Sequence, residues 1–163
     1  MKKMIFTAVI LIIAATGLII ADNQTEDGLL KEIEYIIMPD PMENNRYDAG
    51  QCTHYIFEKV KEDGNMIESD WDDAKYWAES AQEDDYTVNG MPAQGAILQT
   101  DQGELGHVAY IESINEDGSI EISEMNLVEA YEITERTIEE GEIDQYQYIH
   151  PEENPYDEKE EAA

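Results

Sequence analysis

Cysteine is the rarest residue of this sequence, and basic side chains are few beside its acidic ones. A single cysteine, Cys52, in 163 residues excludes an intrachain disulfide framework and a thiolate zinc cluster, both of which need several thiols. Any sulfur chemistry rests on that one atom. Lys and Arg together number 9 against 39 Asp and Glu, a formal net charge of -30. Nucleic-acid affinity depends on cationic side chains displacing counterions from phosphates, so DNA and RNA are excluded as partners. The sequence also lacks internal repeats. What it does contain is enough apolar material, 42% of residues, to build the core of one ordinary domain, which excludes a wholly disordered polyanion.

Lys2 and Lys3 precede an uncharged, apolar stretch from Met4 to Ala21, which ends at the acidic residue Asp22. This layout predicts an export signal over residues 1–21, either cut after Ala21 or retained as a membrane anchor. No cysteine stands near its end to carry a lipid. The expected location is secreted or extracytoplasmic, with membrane contact only if the segment is kept. Loss of residues 1–21 leaves 7 basic against 39 acidic residues. Such a surface repels itself and dissolved ions screen the repulsion, so it suits either a saline setting or simple solubility.

Residues 22–45 read as a linker with a short amphipathic helix, since Leu29, Leu30, Ile33, Ile36 and Ile37 fall at helical spacing before Pro39 and Pro41. Residues 151–163 carry acids and prolines with little to bury, which predicts a disordered tail. The domain occupies residues 46–150. There Cys52, Tyr55, Ile56, Lys59 and Val60 recur at three and four, placing the thiol in the first turn of a helix. A second helix is predicted from a cap at Ser69 or Asp70, with Ala74, Trp77, Ala78 and Ala81 as its buried stripe. Residues 95–99, 107–114, 119–126 and 146–150 then read as strands, with another around 133–138. Helices followed by an antiparallel sheet make an α+β domain.

One carboxylate stands on the wrong face. In the strand at 119–126, Ile120 and Ile122 point one way and Ser119, Glu121 and Ser123 the other, so parity assigns Glu124 and Asn126 to the isoleucine face. A buried carboxylate costs several kcal/mol unless a partner meets it. If the turn at Asn115–Gly118 pairs Ile114 with Ser119, then Ile111 faces Ile122, Ala109 faces Glu124 and His107 faces Asn126. Glu124 is then diagonal to His107, within side-chain reach across the small Ala109. A tighter Asp117–Gly118 turn shifts the register by two, which keeps the face but sets Glu124 opposite Ile111.

A cysteine at a helix start, an imidazole and a carboxylate behind it are the parts of a thiol hydrolase. The helix terminus favours thiolate, His107 takes and returns a proton, and Glu124 fixes its tautomer and stabilises imidazolium. Backbone N–H groups at the start of the Cys52 helix, joined by the Gln51 side chain, can hold a tetrahedral oxyanion. The blander alternative, an inert buried cysteine and a structural histidine, remains open on spacing alone. His54 and His150 have no such partner in the sequence pattern and read as structural.

The run Tyr47-Asp-Ala-Gly-Gln-Cys52-Thr-His-Tyr, followed by Gly95-Ala-Ile, Gly106-His107-Val-Ala-Tyr and Ser123-Glu124-Met-Asn126, resembles the CHAP family of cysteine, histidine-dependent amidohydrolases and peptidases. It is most similar to the secreted staphylococcal-antigen-like branch, through to Tyr146-Gln-Tyr-Ile-His150. The resemblance implies a papain-like (NlpC/P60-type) fold, with Cys52 as nucleophile, His107 as general base, Glu124 as orienting acid and Asn126 assisting orientation. It implies peptidoglycan as partner and an amide in the peptide, or at the sugar–peptide link, as the bond cut. Two departures stand out. His54 replaces the tryptophan that many relatives carry after Gln-Cys-Thr, and Asn44-Asn-Arg46-Tyr-Asp48 has one acid where some phage relatives hold calcium. No metal or other cofactor is expected, and the protein is expected to be a monomer. A non-catalytic acidic wall-binding protein on the same fold is the alternative function.

Overall fold

The computed structural model describes residues 40–156. The expected export segment, the linker helix and residues 157–163 lie outside the described residues. Among the described residues no helix is long and apolar enough to cross a membrane.

Helix α1, Cys52–Glu62, buries Ile56, Phe57 and Val60 on the stripe their spacing dictates. Lys59 and Lys61 occupy its last turn, where the helix dipole favours cations. It stops where the N–H groups of Asp63 and Gly64 reach back to the carbonyls of Lys59 and Lys61, with Gly64 left-handed at φ +70°. Helix α2, Trp77–Glu83, is led in by a 3-10 turn at Ala74–Tyr76. Its buried stripe is the expected one, Ala74, Trp77, Ala78 and Ala81. It starts later than the predicted cap at Ser69 or Asp70 because Asp72 takes a left-handed φ of +58° and Trp71 turns inward. Trp71 packs edge-on against both Trp77 and Tyr86, at 5.4 and 5.3 Å between ring centroids. Pairs of this kind contribute about 1 kcal/mol beyond the area they bury, so tertiary packing overrides the local helix signal.

The main sheet holds β2 (Thr87–Asn89), β3 (Ile97–Thr100), β4 (His107–Ile114), β5 (Ile120–Met125), β6 (Ile133–Ile138) and β7 (Gln147–His150), in the order β2-β7-β3-β4-β5-β6. Every neighbouring pair is antiparallel, so the domain is α+β as its sequence pattern predicts. Leu98, Ala109, Ile111, Ile122, Ile138 and Tyr148 form one apolar cluster on one face of it.

The β4–β5 hairpin decides where the candidate acid lies. Tyr110 pairs with Ser123 and Ile111 with Ile122, the register derived above. Nearer the turn the expectation fails: Ile114 pairs with Ile120, not Ser119, because a bulge between Ile111 and Ser113 adds a residue to β4. The extra residue, Glu112, is aimed at α1. It accepts from Ser123 Oγ at 2.6 Å and pairs with Lys59 at 2.9 Å, while Tyr55 Oη donates to Ser123 Oγ at 2.9 Å. Tyr110 Oη adds a bond to Asp63 at the end of α1. These contacts fix the helix that begins with Cys52 against the strands that carry His107 and Glu124.

A second, two-stranded sheet corrects the predicted tail. Strand β8, Glu152–Glu153, pairs with β1, Asn65–Met66, and the N–H of the buried Asn154 donates to Gly64 at 2.9 Å. Backbone pairing with the chain just after α1 orders these residues, although their side chains offer the core little.

Candidate active site

The groove is built from the loop and first turn at the start of α1, the turn ahead of α2, the loop before β4 and the residue just past β5. Gln51 and Cys52 stand where the loop before α1 becomes helix, and Gln51 occupies the cap position with its carbonyl accepting from Tyr55 N. Tyr47 anchors that loop: its ring packs between Phe57 and Trp77, and its hydroxyl donates to the Glu68 carbonyl at 3.0 Å and accepts from Trp71 N at 3.2 Å. Gly50, at φ +88°, lies so close to the Tyr131 ring that a Cβ would fall 2.6 Å from it. A left-handed bend and a close approach both require glycine there. The first turn of α1 holds no acidic residue, in a chain with 39 of them, so the partial positive charge of the helix terminus stays uncancelled beside the thiol.

His107 opens β4 directly after Gly106, whose φ is +71° and whose absent Cβ would lie 2.5 Å from Lys75 N. The loop before it is tied to the turn ahead of α2 through Lys75 N, which donates to the Leu105 carbonyl at 2.9 Å. The resulting groove has a volume of about 720 Å³, within the range of small-molecule and peptide sites. Cys52, His107, Gln51 and Asn126 all line it, with Tyr76 and Leu105 as exposed apolar walls. His54 and His150 do not line it, and His150 instead bonds Asn89 Oδ1 at 3.2 Å.

The structure brings Cys52, His107 and Glu124 together at the groove. Cys52, 9% exposed, lies close enough to the His107 ring for the imidazole to lower its pKa, and that ring meets Glu124, Nε2 to Oε2 at 2.8 Å. Nε2 is thereby occupied, which leaves Nδ1 for the thiol. Glu124 is fully buried, on the isoleucine face that parity assigns to it. Asn126 goes elsewhere. It sits left-handed at φ +60° just past β5, and its Nδ2 donates to Gln51 Oε1 at 2.7 Å. The Gln51 amide is held by its oxygen, so its NH2 is the end left to donate.

The electrostatics follow from these contacts. Burial pushes the Cys52 thiol up, but the hydrogen bond and charge of His107, with the N–H groups of Val108 and Thr53, outweigh it and hold the thiol below its ordinary value. Burial alone would lower the His107 pKa; bonds to Cys52 and Glu124 instead push it up to about 9. Glu124 is raised by burial and lowered more by His107 and Arg136, so it stays ionised. A thiolate beside an imidazolium is the form this arrangement favours, and it is the form that attacks carbonyl carbon.

Sequence reasoning missed Arg136. Its Nε donates to Glu124 Oε1 at 2.6 Å from β6. The signal was present in the strand's own parity, since Thr134, Arg136 and Ile138 share the inward row, where arginine is out of place unless something pairs with it.

The comparisons with known proteins come to the same region of the chain. The CHAP domain model matches residues 42–126. Staphylococcal secretory antigen SsaA from Staphylococcus epidermidis is 50% identical over 107 residues, 65% of this chain and 40% of that protein. A Staphylococcus aureus relative named "Probable autolysin SsaALP" is 49% identical over 107 residues, with the same shares of 65% and 40%. This chain therefore matches about 40% of the length of these curated relatives. Among solved structures, an N-acetylmuramoyl-L-alanine amidase from Staphylococcus aureus aligns with a TM-score of 0.61 and 34% identity, over 67% of this chain and 34% of that one. The family match runs from the loop before Cys52 to Asn126 and takes in more than half of the chain, so the chain belongs to the CHAP domain family.

Proposed function

We propose that this protein is an exported peptidoglycan hydrolase that cleaves an amide bond by cysteine nucleophilic catalysis. The observation that carries the reading is Cys52 beside His107 in one groove, with His107 hydrogen-bonded to the buried Glu124. The Cys52 thiolate attacks the amide carbonyl carbon. The oxyanion that forms is held by the N–H groups at the start of α1 and by the Gln51 NH2. As the C–N bond breaks, imidazolium gives its proton to the leaving amine, and a thioester remains on Cys52. Water, deprotonated by His107, then attacks the thioester and releases a carboxylate and free thiolate. Glu124 stays ionised throughout and steadies the imidazolium.

Similarity to proteins named as secretory antigen, autolysin and N-acetylmuramoyl-L-alanine amidase supports peptidoglycan as the substrate and the extracytoplasmic space as the location. The bond is the N-acetylmuramoyl-L-alanine amide or a peptide bond of the stem or bridge. Mass spectrometry of muropeptides from digested cell walls tests this. The expected result is paired new amine and carboxylate ends, each pair adding one water, and their position names the bond. Tight wall binding that leaves the muropeptides unchanged would replace the hydrolase with the acidic wall-binding alternative.

A further inference from the structure

The chain has two arginines, and one of them, Arg136, is committed to the candidate acid. On β6 Arg136 pairs with Ile122 and Thr134 with Glu124, so Arg136 and Glu124 are diagonal neighbours on one face. His107 approaches from the other side, out of β4. Three adjacent strands thus set His107, Glu124 and Arg136 in a row. The carboxylate is divided between them: Oε1 accepts from Arg136 Nε at 2.6 Å, and Oε2 accepts from His107 Nε2 at 2.8 Å, with Arg136 Nη2 at 3.4 Å from Oε2. Tyr146, whose proximity adds to the raised Arg136 pKa, packs on the apolar cluster of the sheet. Thr134, directly opposite Glu124, has a buried hydroxyl with no hydrogen-bond partner, so it does not share in orienting the carboxylate.

We propose that Arg136 is a positioning residue of the thiol site, pinning Oε1 of Glu124 so that Oε2 stays on His107 Nε2. The proposal rests on the reading of Cys52, His107 and Glu124 given above. A residue that pins and a residue that only neutralises have opposite consequences. The charged or titratable groups around the carboxylate are His107 from β4 and Arg136 from β6, with Cys52 beyond the imidazole and Tyr146 behind the guanidinium. If Arg136 only neutralises, its loss exposes imidazolium to the full charge of Glu124 and widens the pH range over which thiolate and imidazolium coexist. If Arg136 pins, its loss frees the buried carboxylate to rotate away or take up a proton, and that range narrows from both sides.

The experiment compares wild-type protein with Arg136→Gln and Arg136→Lys, reading the pH profile of Cys52 alkylation by iodoacetamide, kcat and KM on purified peptidoglycan, and Tm. Arg136→Gln is expected to narrow the alkylation profile and lower kcat about 100-fold, with KM changed little, since misplacing a catalytic group costs rate on that scale. Arg136→Lys, which keeps the charge but not the fork, is expected to recover part of kcat. A wild-type profile in both variants overturns the proposal, whatever happens to Tm, and so does a widened one. An ordinary thiol profile in the wild-type protein is a different failure: it removes the ion pair itself, and the role of Arg136 with it. Because alkylation needs no peptidoglycan, it tells the two failures apart.

Discussion

Cys52→Ser is expected to lower peptidoglycan cleavage by about 10⁴-fold or more while leaving Tm nearly unchanged. On the proposed mechanism the substitution removes the nucleophile and with it the whole covalent route, and the residual rate comes from oxyanion stabilisation and binding alone. The serine hydroxyl is the same shape as the thiol to within a few tenths of an ångström, but nothing in the groove makes it an alkoxide. His107 and the N–H groups of Val108 and Thr53 outweigh the cost of burial and lower the thiol's pKa, whereas a hydroxyl titrates far above the range those contacts can reach. The Gln51–Asn126 bond and the His107–Glu124 bond do not involve the sulfur, so the variant should still bind cell walls. Release of soluble muropeptides, measured beside wall sedimentation, separates the two. Cleavage at more than about a hundredth of the wild-type rate is too much for a site without its nucleophile.

Glu124→Gln carries the second large effect, and it reaches both rate and stability. The fully buried carboxylate lies between His107 and Arg136, and an amide in its place leaves the guanidinium without its counter-charge. Breaking a buried pair costs about 3–5 kcal/mol, and because Arg136 is partly open to solvent the lower end of that range applies here. The rate should fall about 10³-fold or more, because neither the tautomer nor the charge of the imidazole is then secured. The pH dependence has a definite sign. Glu124 has a folded-state pKa below its ordinary value, so its contribution to stability is complete above the ordinary carboxylate range and is lost as pH falls through the lowered value. The stability gap between wild type and Glu124→Gln should therefore be full at neutral pH and close towards acid. Denaturant titrations at several pH values read that gap, and one that stays constant into acid contradicts the assignment of the charge.

Why these side chains could be found in advance, and others not, comes down to range. Alternation along β5 is a local property, and it placed Glu124 on the buried face before any partner was known. Periodicity around Cys52 likewise marked the helix start, and the limits of β4 and β6 follow from local alternation and turn residues. The bulge at Glu112 could not be read locally, because its reason lies in Lys59 and Ser123 on other elements. The delayed start of α2 has the same character, being decided by where Trp71 packs. Strand parity does not reach Asn126, which turns left-handed just beyond the strand end and bonds Gln51. Arg136 is legible in principle, as a cation on the inward row of β6 beside Thr134 and Ile138.

Ultraviolet titration of the thiolate, taken as the difference between wild-type protein and Cys52→Ser, reads how far His107 lowers the pKa of Cys52. In the wild-type protein thiolate absorbance is expected to develop below the pH range of an ordinary cysteine, and in His107→Ala only within that ordinary range. Thiolate that appears only at the alkaline pH of an ordinary cysteine, alike in wild type and His107→Ala, would contradict it.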